Sequence, residues 1–135
     1  MKSSIQSKIV FAVILLWAAM FSFSAQAIEQ YKPGLIKAAL AKGETVFVEY
    51  YAPWCPTCRA QASVIRDILS ENPDYDDKIR FVRVDWDTYR NSEIAKKYKV
   101  RRQSTLVMLK GKKVLGKLVA KTSRSEIAGL IKKGV

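Results

Sequence analysis

Apolar residues in this chain follow two different periods, one typical of strands and one typical of helices. Thr45–Tyr51 is β-branched or aromatic and apolar on both alternating faces apart from Glu49, which is the pattern of a strand in the middle of a covered sheet. From about Pro56 to Ser70, apolar residues recur at helical spacing along one face. The sequence therefore predicts that a buried strand leads directly into an amphipathic helix.

Helices and strands are predicted to alternate along the rest of the chain as well. Residues 28–32 show no clear period. The other predicted elements are a helix over 35–40 between Pro33-Gly34 and Gly43, a strand over 79–86, a short helix over 92–98, hairpin strands over 105–109 and 113–120, and a last helix that begins at the capping box Ser123–Glu126. This order predicts an α/β fold with parallel strand pairing, helices on both faces and an antiparallel edge formed by the last two strands.

The start of the chain has the pattern of a targeting segment. Lys2 and Lys8 precede an unbroken apolar run, Ile9–Phe21, and the segment ends in the small-residue pattern Ala25-Gln26-Ala27. The apolar run is shorter than the roughly 20 residues that a membrane helix needs. We therefore expect residues 1–27 to be a secretory signal peptide; an uncleaved membrane anchor is the alternative.

Cleavage after Ala27 would leave residues 28–135, enough for one compact domain. The protein would then be exported, and periplasmic if its source is a Gram-negative bacterium. The whole chain has a net charge of +12, but its densest basic cluster, Lys96–Arg102, is too short for a nucleic-acid motif. We expect no nucleic-acid partner.

The chain has two cysteines, Cys55 and Cys58, and no histidine. A disulfide between them would close a very short loop and constrain the unfolded chain little, so a purely structural disulfide is the weakest explanation. Two cysteines also supply only half of a four-ligand metal site, which a dimer sharing two pairs would complete. The lack of histidine excludes Cys-His and Ser-His-Asp catalysis.

The position of the cysteines favours redox chemistry. Cys55 lies where the strand ends and the helix begins, so unpaired backbone N–H groups and the helix dipole favour its thiolate. Pro56 suits the first helical turn because its missing N–H would have no partner there. Cys58 lies one turn further on, where it can attack a mixed disulfide on Cys55. We expect an exposed attacking thiol and a sheltered resolving thiol, an arrangement suited to dithiol–disulfide exchange.

From about Lys32 to Gly134 the sequence resembles the thioredoxin family. The residues that carry the resemblance are Tyr51-Ala52-Pro53-Trp54-Cys55-Pro56-Thr57-Cys58-Arg59, Val82-Arg83-Val84-Asp85, Tyr98-Lys99-Val100, Thr105-Leu106 and Gly111. The resemblance implies a thioredoxin fold, with a central mixed β-sheet of about four to five strands flanked by helices on both faces. It also implies disulfide exchange with protein thiol or disulfide substrates and no bound cofactor or metal.

The resemblance assigns roles to the residues of the motif. Cys55 would be the nucleophile and Cys58 the resolving thiol, and the two would form a redox-active disulfide. Trp54 would shield the two cysteines; the alternative for Trp54 is simple packing. Pro56 and Thr57, the residues between the cysteines, would support the dithiol.

Glu49 and Arg83 are expected to support the dithiol from the neighbouring strands. Glu49 occupies the place where the family often keeps a buried carboxylate near the resolving cysteine. Burial raises the pKa of such a group, so it could accept the proton of Cys58. The alternative is an ion pair with Arg83, and both descriptions can hold together.

The chain departs from the family at Ser104, where the resemblance places a cis-proline. Gln103, Ser104 and Thr105 would form the loop that docks the substrate's backbone. A cis bond before a non-proline residue costs about 3–4 kcal/mol, so we expect the Gln103–Ser104 bond to be trans. The serine adds a hydroxyl near Cys55, and it removes a ring whose space a metal ion or cluster would use.

The sequence between the cysteines, Pro56-Thr57, carries no charge to stabilise a thiolate strongly. This favours a reductant or a moderate exchanger over a strong oxidant. Outside the cytoplasm a reductant needs a membrane-linked electron donor. Two other functions stay open on the sequence alone: a non-catalytic binding module on the same scaffold, and a dimer with a cysteine-ligated metal or cluster.

Overall fold

A computed structural model describes residues 28–135, and its five strands form one mixed sheet in the order β1-β3-β2-β4-β5. The strands are β1 Glu29–Gln30, β2 Thr45–Tyr51, β3 Ile79–Asp85, β4 Thr105–Lys110 and β5 Lys113–Val119. The pairs β1–β3 and β2–β3 are parallel, whereas β4 runs antiparallel to both β2 and β5. This confirms the predicted mixed sheet with an antiparallel edge.

Six helices accompany the sheet within these residues. They are α1 Leu35–Ala41, α2 Pro56–Glu71, α3 Tyr75–Lys78, α4 Trp86–Tyr89, α5 Glu93–Lys97 and α6 Arg124–Lys132. Every predicted helix and strand is present, with bounds that differ by no more than two residues.

Three short elements were not predicted: β1, α3 and α4. β1 is a strand only because it pairs with β3, where Glu29 lies opposite Val82 and the amide of Tyr31 donates to the carbonyl of Arg83 at 2.8 Å. The helices α3 and α4 have four residues each, which is too short for a helical period to be visible in the sequence.

Strand β2 lies at the centre of the sheet and is buried on both faces. Val46, Val48 and Tyr50 belong to a core shared with α1, whereas Phe47 belongs to the opposite core, which is shared with α2 and α6. Burying an apolar side chain of this size stabilises the fold by roughly 1.5–3 kcal/mol. The carboxyl end of β2 is therefore held rigidly, and so is the junction with α2 that follows it.

The predicted signal peptide, residues 1–27, lies outside the described residues. Within residues 28–135, no helix has both the length and the apolarity that a membrane crossing requires.

Candidate active site

Cys55 is the N-cap residue of α2 and lies directly before Pro56, the first residue of the helix. Its backbone is extended (φ −88°, ψ 112°), Pro56 occupies the first helical turn, and the Cys55 sulfur accepts a hydrogen bond from the amide of Cys58 at 3.2 Å. This amide is one of the helix-start N–H groups that have no partner within the helix. The sulfur thus takes the place of an N-cap oxygen, as the sequence predicted from the strand-to-helix junction.

The accessibility of Cys55 differs from the expectation of an exposed thiol. Only 4% of the residue is exposed, and Cys58 is fully buried at 0%. The prediction of an exposed attacking thiol was therefore wrong, because the first turn of α2 and the Ser104 side chain both cover the sulfur. The predicted ranking of the two thiols by accessibility is confirmed, since Cys55 is more accessible than Cys58. Both are free thiols in this structure.

Ser104 lies against both cysteines. Its hydroxyl oxygen is 3.1 Å from the sulfur of Cys55 and 3.1 Å from the sulfur of Cys58. The sequence placed this hydroxyl near Cys55 only; its contact with Cys58 depends on how the loop before β4 folds over α2.

The backbone holds Ser104 in place. Its amide donates to the carbonyl of Tyr50 at 2.9 Å, and its carbonyl accepts from the amide of Ala120 at 2.8 Å. Its φ of 59° lies in the left-handed region, which costs a non-glycine residue of order 1–3 kcal/mol and persists only where the surroundings enforce it. Ser104 is fully buried, so its hydroxyl stays beside the sulfurs.

Gln61 supports the same loop and was not predicted from the sequence. It is fully buried on α2, and its side-chain amide donates to the carbonyls of Ser104 at 3.1 Å and Lys121 at 2.8 Å. Gln61 lies three residues after Cys58, on the buried side of the helix. A buried side-chain amide needs hydrogen-bond partners, so this position was the signal in the sequence that could have indicated its role.

The two thiols have opposite pKa shifts. Burial opposes ionisation of Cys55, but hydrogen bonds from the Cys58 thiol, the Ser104 hydroxyl and two backbone amides outweigh it and lower the pKa of Cys55. Burial raises the pKa of Cys58, and the neighbouring Cys55 raises it further, against the opposing hydrogen bond of Ser104. The site therefore favours ionisation of Cys55 before that of Cys58.

Trp54 lies on the surface next to the dithiol. Its side chain is 57% exposed, and its indole N–H donates to the Asp87 carboxylate at 2.9 Å. Trp54 is therefore not part of the buried core, and both the shielding role and the alternative of simple packing stay predictions. Arg59 donates to the carbonyl of Pro53 at 2.8 Å, so its guanidinium is engaged by the loop that precedes the cysteines.

Glu49 and Arg83 form the predicted ion pair. Arg83 Nε lies 2.8 Å from Glu49 Oε2, and the Glu49 side chain is 1% exposed. Within residues 28–135, neither carboxylate oxygen hydrogen-bonds to a cysteine, and Glu49 Oε1 has no partner. Burial raises the pKa of Glu49, and the hydrogen bond and charge of Arg83 oppose that rise. The structure thus contains the pair, whereas proton transfer to Glu49 stays a prediction.

The predicted docking loop contains one half-buried residue, Gln103, and two buried ones, Ser104 and Thr105. The Thr105 hydroxyl donates to the carbonyl of Arg102 at 2.8 Å. No peptide bond in the described residues is cis, which confirms the expected trans bond before Ser104. Docking of a substrate on this loop stays a prediction.

The described part of the chain contains no cluster of three or more metal-binding side chains. Among residues 28–135, the two sulfurs thus lie together without a third side chain of this kind.

Comparisons with known proteins agree with this geometry. The thioredoxin family model matches residues 28–133. Thioredoxin 1 of a Nostoc species is 31% identical over 88 residues, which cover 65% of this chain and 78% of that protein. Thioredoxin C-2 of Corynebacterium nephridii is 30% identical over 90 residues, which cover 67% of this chain and 79% of that protein.

Solved structures of similar fold include Trxlp from Edwardsiella tarda and a thioredoxin from Malassezia sympodialis. The first is 26% identical with a TM-score of 0.66 and covers 77% of this chain and 98% of that chain. The second, at 24% identity and a TM-score of 0.67, covers 80% of this chain and 90% of that chain, and it supports the fold alone. The family match over the described residues, together with a dithiol at the start of a helix, shows that this chain belongs to the thioredoxin family of thiol–disulfide oxidoreductases.

Proposed function

We propose that Cys55 attacks substrate disulfides, that Cys58 resolves the resulting mixed disulfide, and that the protein works outside the cytoplasm in the reducing direction. The observation that carries the assignment of roles is the sulfur of Cys55 at the N-cap of α2, where it accepts the amide of Cys58 at 3.2 Å. The thiolate is the nucleophile in disulfide exchange, and the lowered pKa of Cys55 favours it there. Cys58, with no exposed surface, is reached only from within the protein.

The proposed reaction moves two electrons to the substrate. The Cys55 thiolate attacks one sulfur of the substrate disulfide, forms a mixed disulfide and releases the other substrate sulfur as a thiolate, which takes up the proton that Cys58 loses. The Cys58 thiolate then attacks the Cys55 sulfur, forms the Cys55–Cys58 disulfide and releases the second substrate thiolate. The substrate disulfide is reduced and the protein dithiol is oxidised.

The neutral character of the groups around Cys55 supports the reducing direction. Its hydrogen-bond partners within the described residues are backbone amides, the Ser104 hydroxyl and the Cys58 thiol, none of which is a cation. Strong oxidants stabilise their thiolate heavily, and neutral donors supply less stabilisation than a cation would. Equilibration with glutathione buffers tests this, because a potential near about −120 mV would identify a strong oxidant and overturn the reducing role.

The proposed export rests on the pattern of residues 1–27, and the electron donor follows from the proposed direction. A reductant outside the cytoplasm needs a membrane-linked donor to restore its dithiol. N-terminal sequencing of the protein from a periplasmic extract should begin at Ile28. A full-length protein that stays in the membrane fraction would support the anchored alternative instead.

The proposed substrates are protein disulfides, and trapping identifies them. In Cys58→Ser the mixed disulfide on Cys55 cannot be resolved, so partners should stay covalently bound until a reductant is added. Cys55→Ser is the matched control, because it keeps one cysteine but lacks the attacking sulfur. Equal recovery of partners by both variants, together with background insulin reduction by the wild type, would favour a non-catalytic binding module.

A further inference from the structure

The Ser104 hydroxyl has two sulfur neighbours and one hydrogen. It lies 3.1 Å from each sulfur, and a serine hydroxyl donates one hydrogen bond while accepting others. It can therefore donate to only one of Cys55 and Cys58 at a time. While Cys55 is a thiolate, the hydroxyl donates to Cys55 and has no hydrogen left to donate to Cys58.

We propose that the Ser104 hydroxyl switches its hydrogen bond from Cys55 to Cys58 during turnover, so that one group stabilises each thiolate in the step where that thiolate attacks. The proposal rests on the order of attack proposed above. It adds Ser104 as a catalytic residue that touches both reacting sulfurs.

The steps of the exchange show why a switch is useful. When the Cys55 thiolate forms the mixed disulfide, its negative charge passes to the released substrate sulfur, and Cys55 no longer needs a strong donor. Cys58 gives its proton to that released thiolate and becomes the next sulfur to carry a negative charge. Rotation of the Ser104 O–H bond then brings the hydrogen to Cys58, which attacks Cys55 and releases the second substrate thiolate. Ser104 neither gains nor loses a proton overall.

The surroundings of Ser104 suit a rotating hydroxyl on a fixed backbone. The Tyr50 carbonyl, the Ala120 amide and the Gln61 side chain hold the Ser104 peptide groups, so the hydroxyl moves only by rotation. The residue is fully buried, which keeps water from replacing it. Within residues 28–135, no other side-chain oxygen or nitrogen hydrogen-bonds to either sulfur.

Single-turnover reaction with an aromatic disulfide that releases thionitrobenzoate separates the two steps. Thionitrobenzoate is a much weaker base than an alkyl thiolate, so it does not take the proton of Cys58. At mildly acidic pH, Cys55 therefore attacks and releases one equivalent while Cys58 stays protonated; a jump to neutral pH then starts resolution and releases the second. We would compare the wild type with Ser104→Ala, which removes the hydroxyl, and with Ser104→Gly, which also removes the strain of the positive φ. Ser63→Ala is the matched control, because Ser63 lies on α2 and its hydroxyl contacts Arg66 rather than a sulfur.

In both Ser104 variants we expect the attack step and the resolution step each to slow by about tenfold, because each step loses one hydrogen bond to a charged sulfur. The midpoint of the pH profile of resolution should also rise by about one pH unit, which a purely structural role would not produce. Ser63→Ala should match the wild type in both steps. If Ser104→Ala does not fold, Ser104→Gly carries the test alone.

Slowing of the attack step alone would overturn the switch, and so would unchanged rates in both steps. Normal rates in Ser104→Gly with slow rates in Ser104→Ala would overturn it as well, by assigning the effect to backbone strain. A wild type that releases no second equivalent would instead contradict the proposed function, so the two failures are distinguishable.

Discussion

Replacing Arg83 with methionine should make the stability of the protein strongly dependent on pH. Arg83 is the ion-pair partner of Glu49, whose side chain is 1% exposed. Methionine keeps the apolar stem but leaves the carboxylate without its cation. The second carboxylate oxygen of Glu49 already has no partner within the described residues, so nothing there compensates for the loss.

The structure sets the size of the effect. Removing one partner of a buried ion pair costs about 3–5 kcal/mol, and the lower end applies because the Arg83 side chain is 23% exposed. The guanidinium also lies 4.2 Å from the centre of the Tyr51 ring, and such a contact contributes about 0.5–1 kcal/mol at any pH. We therefore expect Arg83→Met to lose about 3 kcal/mol at pH 8.

The direction of the pH dependence follows from the pKa of Glu49. Burial raises this pKa in the folded state, so the folded protein holds the Glu49 proton more tightly than the unfolded chain does. The stability that this contributes is fully present below the unfolded pKa, about 4.3 for glutamate, and is lost as the pH rises through the folded pKa. Without Arg83 the folded pKa rises further, so the loss continues to a higher pH.

Urea unfolding of the wild type and Arg83→Met between pH 4 and pH 8 measures the effect. We expect the two proteins to differ by about 1 kcal/mol or less at pH 4, where Glu49 is protonated and the ring contact remains the main loss, and by the full amount at pH 8. Glu49→Gln in the Arg83→Met background is the matched control and should remove the additional pH dependence. An equal loss at both pH values, or a pH dependence of the loss that persists in the double variant, would refute this reasoning.

Two further predictions concern packing and the surface. Gly134→Ala should destabilise the protein by about 1–3 kcal/mol in urea unfolding, because the new Cβ would lie 2.7 Å from the sulfur of buried Met108. Gly129 lies on α6, and a methyl group added there has nothing within 4 Å. Gly129→Ala should therefore stabilise the protein by up to about 1 kcal/mol. Destabilisation by both alanine variants would contradict the packing explanation. Asp87→Ala should change the free energy of unfolding by less than about 0.5 kcal/mol, because its hydrogen bond to Trp54 is exposed, and a loss several times larger would show that the bond anchors the loop.

The sequence was most informative where one local pattern determined the outcome. The strand-to-helix change around Cys55 predicted the N-cap position of its sulfur, because strand and helix periods are both visible in β2 and α2. The pairing of Glu49 with Arg83 followed from the family resemblance. Strand β1 was missed because it forms only by pairing with β3, and α3 and α4 were missed because four residues are too few to show a helical period.

The unpredicted features of the site depend on tertiary contacts. The contact of Ser104 with both sulfurs joins residues that are 49 and 46 positions apart, and no local pattern specifies such an approach. The same contact explains why Cys55 is less exposed than expected. Gln61 was overlooked for a related reason, since its partners are carbonyls of distant loops.

Titration of the reduced protein tests the central claim most directly. The rate of alkylation by iodoacetamide, followed against pH with the modified cysteine identified by mass spectrometry, reports the pKa of each thiol. The lowered pKa of Cys55 and the raised pKa of Cys58 predict that Cys55 reacts first and ionises below the value of about 8.5 for free cysteine. Ionisation of Cys55 at or above that value, or earlier reaction of Cys58, would contradict the account.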